Sequence, residues 1–237
     1  MPTRLPALRQ PAIGFAHRGA RAHTHENTVD AFVLARRLGA TGLESDVWLT
    51  ADSVAVLDHD GEVGRFRRRP VRAVARAQLP GHIPTLEELY LACGTDFELS
   101  LDIKDPQAFE PALDMARRFG AVPRLWACTP DLELLQRWRA LDGQVKLVHS
   151  TRLRAMPRGP ERHAAVLAEQ SITAVNLHVS EWTGGLTTLF HRFGVQAFGW
   201  DAQFERQLAE LLDMGIDGVY SDYVDRLSAA IARAYEG

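Results

Sequence analysis

"FELSLDIK", residues 97–104, alternates without a break. In an extended strand successive side chains point to opposite faces. Phe97, Leu99, Leu101 and Ile103 therefore share one face, and Glu98, Ser100, Asp102 and Lys104 share the other. The apolar set suits a layer of helices, which leaves the polar set pointing into the interior of a closed sheet. The rest of the chain has to supply that sheet.

Working outward, strand-like runs alternate with helical ones from end to end. The other strands are expected at 12–17, 42–49, 124–129, 144–150, 174–179, 195–200 and 217–222, with a short extra strand at 53–59 pairing as an excursion. Between them lie amphipathic segments such as "ENTVDAFVLARRLG", where Val29, Phe32, Val33 and Leu38 mark an apolar side. "TLEELYLACG", "PDLELLQRWRALDG" and "QFERQLAELLDMG" each open near Thr, Asp or Gln and stop at Gly, as helix caps do. Eight strands, each followed by a helix, predict an α/β fold, a (β/α)8 TIM barrel. A doubly wound open sheet shares the alternation, which by itself does not show closure. No linker divides residues 1–237, so a single domain is expected.

Composition narrows the function classes. The chain has 237 residues, 46% apolar and 24% charged, which is ordinary globular usage. Its net charge of −3 leaves no electrostatic footprint for nucleic acid. Cys93 and Cys128 are too few for a disulfide framework or a zinc ribbon and read as buried thiols. With no signal-like start and no apolar run of spanning length, stable membrane insertion is not expected, and a cytoplasmic location is. One irregular region, 64–82, carries six arginines. It reads as a solvated excursion or as a guide for an anionic substrate or lipid surface.

"GFAHRGA", residues 14–20, is a short strand that ends on His17 and Arg18. In "GLESDVW", Glu44 and Asp46 share a face with Trp48, which reads as packing. Glu44, Asp46 and Asp102 should converge at the carboxyl ends of neighbouring strands, where barrel active sites lie. Three close carboxylates repel unless a cation holds them ionised. All-oxygen ligation suits Mg2+ or Ca2+; an internal salt-bridge network with Lys104 and Arg18 satisfies the same pattern. Arg18 offers a planar fork and Lys104 a point charge to a phosphodiester. His17 and His59 add two groups that titrate near neutrality. Together these are parts for breaking a P–O bond.

"HRGARAHTHENTVDAF", "GATGLESDVWLTADSVAVLDHD", "IPTLEEL", "LDIK", "FGW" and "GIDGVYSDYVD" follow one another in an order and rough spacing that resembles the glycerophosphodiester phosphodiesterase family, from about residue 14 to 226. The resemblance implies a TIM barrel with a divalent metal, Mg2+ or Ca2+, on Glu44, Asp46 and Asp102. It implies His17 and His59 as acid and base, and Arg18 and Lys104 as phosphate holders. Glu26 and Asn27 complete the phosphate- and substrate-binding side, and Trp200 lines the pocket for the glycerol or head group. The implied reaction is hydrolysis of a small-molecule glycerophosphodiester to glycerol 3-phosphate and an alcohol. Phospholipase D-like cleavage of lysophospholipids and a catalytically silent phosphate-binding barrel are the alternatives.

The chain departs from the family pattern in three places. His25 stands where Pro usually precedes "ENT", Asp102 stands where Glu is usual, and the stretch after "HD" is the basic "GEVGRFRRRP". Asn176 and His178 share an inward face, as substrate contacts or as satisfied interior polar groups. His23 and His25 read as solvent-exposed loop residues, and Cys128 as a small buried filler. The oligomeric state is not legible.

Overall fold

The computed structural model describes residues 4–64 and 67–235. Its strands are β1 (Ile13–Ala16), β2 (Gly42–Leu49), β3 (Ala55–Leu57), β4 (Glu62–Val63), β5 (Arg69–Pro70), β6 (Glu98–Ile103), β7 (Leu125–Thr129), β8 (Lys146–Ser150), β9 (Ala174–His178), β10 (Gln196–Trp200) and β11 (Gly218–Ser221). β1, β2 and β6 to β11 pair in parallel in that order, and β1 pairs with both β2 and β11. Phe15 lies opposite Gly42 on one side and Tyr220 on the other. The sheet is therefore a closed eight-stranded barrel, and the open doubly wound alternative is excluded.

Alternation along the strands produces two apolar layers. Leu99, Leu101 and Ile103 join the layer between sheet and helices, as the pattern of residues 97–104 requires. Inside the barrel, Ile13, Phe15, Trp126, Cys128, Val148, Ala174, Phe198 and Tyr220 form a second cluster. Phe15 stacks on Tyr220 with ring centroids 4.6 Å apart. A Cβ at position 42 would fall 2.5 Å from the Phe15 ring, so only glycine lets β2 pass this ring. Below the aromatic layer, Glu98 accepts from Trp126 Nε1 at 2.6 Å, Arg9 at 2.9 Å and Lys146 at 3.0 Å, which satisfies a carboxylate that burial would otherwise penalise. The interior is thus filled through its lower half by aromatic rings and this paired network, and a cavity opens at the carboxyl ends of the strands.

The helices begin where local chemistry allows. Thr28 caps α1 (Val29–Arg37), and Thr85 with Glu88 forms a capping box on α2 (Leu86–Cys93). Asp131 caps α4 (Leu132–Leu141), which follows α3 (Phe109–Arg118) and ends at Asp142, one residue before the expected glycine. α5 (Gly159–Glu169) and α6 (Gly184–Arg192) precede α7 (Glu205–Asp213). There Gln207 accepts from the Gln203 and Phe204 backbones, half of a capping box. α8 (Val224–Tyr235) closes the ring against β1 and β11. On α1 the fully buried residues are Ala31, Phe32 and Ala35, whereas Val29, Val33 and Leu38 are only half-buried. Small alanines let this helix sit close to the sheet, which a count of large apolar residues misses.

The excursion after β2 has its own small core of Val56, Val71, Val74, Leu79 and Ile83, with Trp48 packed against it. Trp48 is therefore a packing residue, but beneath the excursion and not within the barrel. In the basic segment Arg68 pairs with Glu62 and Arg76 with Glu88; Arg65 and Phe66 lie outside the described residues. Cys128 is buried, as expected, while Cys93 is half-exposed at the end of α2.

On the outer face of β8, buried His149 meets the half-buried His163 of α5. His149 Nδ1 lies 3.0 Å from His163 Nε2, and His149 Nε2 lies 3.1 Å from the Pro130 carbonyl. Burial first, then repulsion from His163, hold His149 from an ordinary 6.5 down to about 4. As pH falls below 6.5 the unfolded chain takes up this proton before the folded one does. The stabilisation is thus complete above about pH 6.5 and lost as pH falls toward 4, costing about 2 kcal/mol between pH 7 and 5. Urea midpoints of the wild type should drop accordingly over that range, and His149→Gln should flatten the drop. Parallel pH curves for the two proteins would discount the pair.

Candidate active site

The site begins where β1 stops. After Ala16 the chain turns sharply, with Arg18 at φ 53° and Gly19 at φ 76°. A side chain at position 19 would strike the Ala31 backbone of α1 at 2.7 Å, so glycine is demanded by both torsion and space. The left-handed Arg18 aims its backbone N–H inward, where it donates to Glu44 Oε2 at 2.9 Å. Its carbonyl accepts from the backbone of Asn27, itself at φ 52°. Such torsions are held in place only when neighbours over-determine them. Asn27 supplies that support: buried, it accepts from Ser45 Oγ at 2.7 Å and reaches Asp46 at 3.5 Å.

Glu44, Asp46 and Asp102 line one cavity of about 390 Å³ at the carboxyl ends of the barrel, together with His17, Arg18, Lys104 and Trp200. Asp46 and Asp102 are direct partners across β2 and β6. Lys104 Nζ bridges them, at 3.2 Å from Asp46 and 2.6 Å from Asp102. Arg18 Nε is 3.3 Å from Asp46, and its Nη1 donates to Glu26 at 2.8 Å. Glu26 in turn holds Arg21 at 2.6 Å. Glu26 and Asn27 are thus committed to protein groups, orienting Arg18 and the turn that carries it.

Burial, then the nearby Asp46 carboxylate, raises the Glu44 carboxyl to about 7, against the opposing pull of His17. Asp102 is also raised, by burial that the Lys104 ammonium only partly offsets. Lys104 is raised because the two aspartates outweigh its own burial. For His17, burial works downward, but Glu44 and Asp222 together win and raise it. His17 Nδ1 is 2.6 Å from Asp222 Oδ1, which leaves Nε2, 3.9 Å from Glu44, facing the cavity.

His59 is placed differently. It is half-exposed, pairs with Asp60 at 2.9 Å, and lines a neighbouring cavity of about 380 Å³ with Glu26, Asn27 and Asp58. Through Glu26 and Asn27, which line that cavity and hold Arg18 and its turn, His59 borders the site from the excursion side. Trp200 lines the main cavity, with His178 edge-on at 4.6 Å and the Arg152 guanidinium 5.5 Å from its ring centre.

Sequence reasoning assigned no role to Asp222, Arg21, Asp201 or Gln203, all of which line the main cavity. Asp222 follows β11 just as His17 follows β1, and the two strands are neighbours. The signal was the carboxylate at the end of "GVYSD", one residue past a strand that must pair with the first. His23 and His25 lie on the surface; His23 pairs with Asp225 and His25 packs on His82.

The three carboxylates form an all-oxygen donor set; Lys104 and the Arg18 guanidinium partner Asp46 and Asp102, while Glu44 has the Arg18 backbone N–H and His17. Among the described residues, no group of three or more His, Cys, Asp or Glu side chains is arranged to hold a metal ion. The salt-bridge network is thus the arrangement the side chains adopt. The donor chemistry still fits a hard divalent ion, because burial leaves Glu44 and Asp102 short of positive charge, and Lys104 sits on the end of a flexible stem.

A profile of the glycerophosphoryl diester phosphodiesterase family matches residues 17–226. The chain is 32% identical to the Mycobacterium tuberculosis protein named "Probable glycerophosphodiester phosphodiesterase 2", over 91% of this chain and 89% of that one. Its fold is similar to that of the Thermotoga maritima glycerophosphodiester phosphodiesterase, with TM-score 0.80 and 24% identity over 90% of this chain and 96% of that one. It is also similar to an Oleispira antarctica phosphodiesterase solved in complex with its product sn-glycerol-3-phosphate, with TM-score 0.80 and 20% identity over 92% and 96%. Fold, cavity and sequence agree that this chain belongs to the glycerophosphoryl diester phosphodiesterase family and is a phosphoric diester hydrolase.

Proposed function

We propose that the chain hydrolyses glycerophosphodiesters to glycerol 3-phosphate and a free alcohol, using His17 and His59 as the proton-transfer pair. The observation that carries this reading is the His17–Asp222 contact at 2.6 Å, which orients one imidazole at the edge of a cavity that also holds Arg18 and Lys104. The phosphodiester monoanion lies between those two cations, where the guanidinium offers two parallel N–H groups and the ammonium a point charge. Glu44, Asp46 and Asp102 would hold a divalent cation, Mg2+ or Ca2+, which would supply charge neutralisation and Lewis acidity.

The glycerol 2-hydroxyl is the nucleophile. Buried Cys128 is a poor candidate, since burial raises its thiol far above the usual range. The hydroxyl is already tethered to the phosphorus, which removes the need to capture a second molecule. His17 Nε2 takes its proton as the O2–P bond forms. His59 gives a proton to the departing alcohol as the P–O bond to it breaks. The resulting cyclic 1,2-phosphate is opened by water with the two histidines in reversed roles.

The test is release of glycerol 3-phosphate from a panel of glycerophosphodiesters, measured by a coupled enzyme with Mg2+ and Ca2+ supplied separately. Equimolar glycerol 3-phosphate and alcohol are expected. No release from any diester with either ion would reject the reading.

A further inference from the structure

Among the described residues that line the main cavity, Asn176 is the one side chain with a buried polar atom left unpaired and no part in the steps above. It lies on β9, is only 6% exposed, and faces inward, because Val175 and Leu177 on either side belong to the helix-facing layer. Its Nδ2 donates to Ser150 Oγ at 3.3 Å. Its Oδ1 is buried and has no partner. Both residues line the same cavity as Arg18 and Lys104. If the amide is turned end for end, Ser150 becomes the donor and the free end an N–H. In either orientation one hydrogen-bonding end faces the cavity, and a hydroxyl group complements both.

The position has a direction. The phosphate-holding side chains follow β1 and β6, and the carboxylates come from β2 and β6. Around the closed barrel β9 is four strands from β2 in both directions, so Asn176 stands on the opposite wall. One step deeper the wall is apolar, with Ala174, Phe198 and Val148 in the interior cluster. A buried amide end beside such a surface is costly to leave unmade. A phosphodiester anchored between Arg18 and Lys104 can extend its three-carbon end across the cavity to this group.

We propose that Asn176, oriented by Ser150, pairs with the terminal hydroxyl of the glycerol moiety and thereby selects glycerol over alcohols that lack it. This rests on glycerophosphodiesters being the substrates, and it assigns the hydroxyl not used in the chemistry. Asn176 is a specificity-determining residue here, since it contacts neither phosphorus nor the attacking oxygen.

The test compares binding of glycerol 3-phosphate with binding of 1,2-propanediol 1-phosphate, which keeps the 2-hydroxyl and lacks the terminal one. Affinities are read by calorimetry with Mg2+ present. The wild type should prefer glycerol 3-phosphate by about 5- to 10-fold, the range of one neutral hydrogen bond. Asn176→Ala should bring that ratio to about one. Should Asn176→Ala not fold, Ser150→Ala, which releases the amide from its orienting partner, should shrink the ratio to less than half. A preference unchanged in the variant that folds overturns the assignment, and means that a water satisfies the amide. If the wild type binds neither phosphate, the phosphate site itself fails, an outcome distinct from an unchanged ratio.

Discussion

Replacing His17 with alanine should lower kcat for glycerophosphodiester hydrolysis by about 100-fold or more, the usual scale for a positioned acid or base. Three features of its surroundings lead to this expectation. Asp222 holds Nδ1 at 2.6 Å, so the tautomer that leaves Nε2 free toward the cavity is favoured. Glu44 and Asp222 raise its basicity against the effect of burial. The side chain follows the last residue of β1 and is not part of either apolar cluster, so its loss should leave thermal melting close to wild type. Asp222→Asn should give a smaller loss of kcat, because it disturbs orientation and leaves the imidazole in place. Single-turnover rates would separate chemistry from product release. A His17→Ala enzyme with near-normal single-turnover rates would remove His17 from the mechanism.

Chelation should have a larger effect still and abolish turnover, with Mg2+ or Ca2+ restoring it. The reason is charge. Glu44, Asp46 and Asp102 share one cavity, and burial raises Glu44 and Asp102 above their ordinary values even with Lys104 and Arg18 beside them. A phosphodiester anion brought into this cluster without added positive charge would meet three carboxylates. Lys104 would have to leave its bridge between Asp46 and Asp102 to meet the phosphate, and a divalent cation held by the carboxylates would supply the positive charge they then lose. Asp102→Asn should lose most activity, whereas Asp102→Glu should keep a measurable part, because it preserves the charge. Equal activity of the two variants, or full turnover in a metal-free preparation, would show that the salt-bridge network alone serves the reaction.

The barrel strands were legible because residues 97–104 and 42–49 alternate cleanly, and the structure keeps β2 at 42–49. Closure was not, since it depends on β1 meeting both β2 and β11, pairings that local periodicity does not encode. The same non-locality hid Asp222, which lies 205 residues from the histidine it orients. The carboxylates, Arg18, Lys104 and His17 were found by face and by resemblance, and they do meet in one cavity. His59 and Trp48 sit where the excursion packs, and an excursion with its own core follows no strand period. Glu26 and Asn27 could be placed near the site from "HENT", but their commitment to Arg18, Arg21, Ser45 and Asp46 depends on left-handed torsions at Arg18 and Asn27 that no residue count reveals.

The most direct measurement is phosphorus NMR of a glycerophosphodiester incubated with the protein and Mg2+. The diester resonance should give way to that of glycerol 3-phosphate, preceded by a transient five-membered cyclic phosphate, while His17→Ala leaves the diester nearly intact over the same time. A diester untouched by the wild type, or phosphate recovered on the departing alcohol with glycerol set free, would contradict the assignment of this cavity.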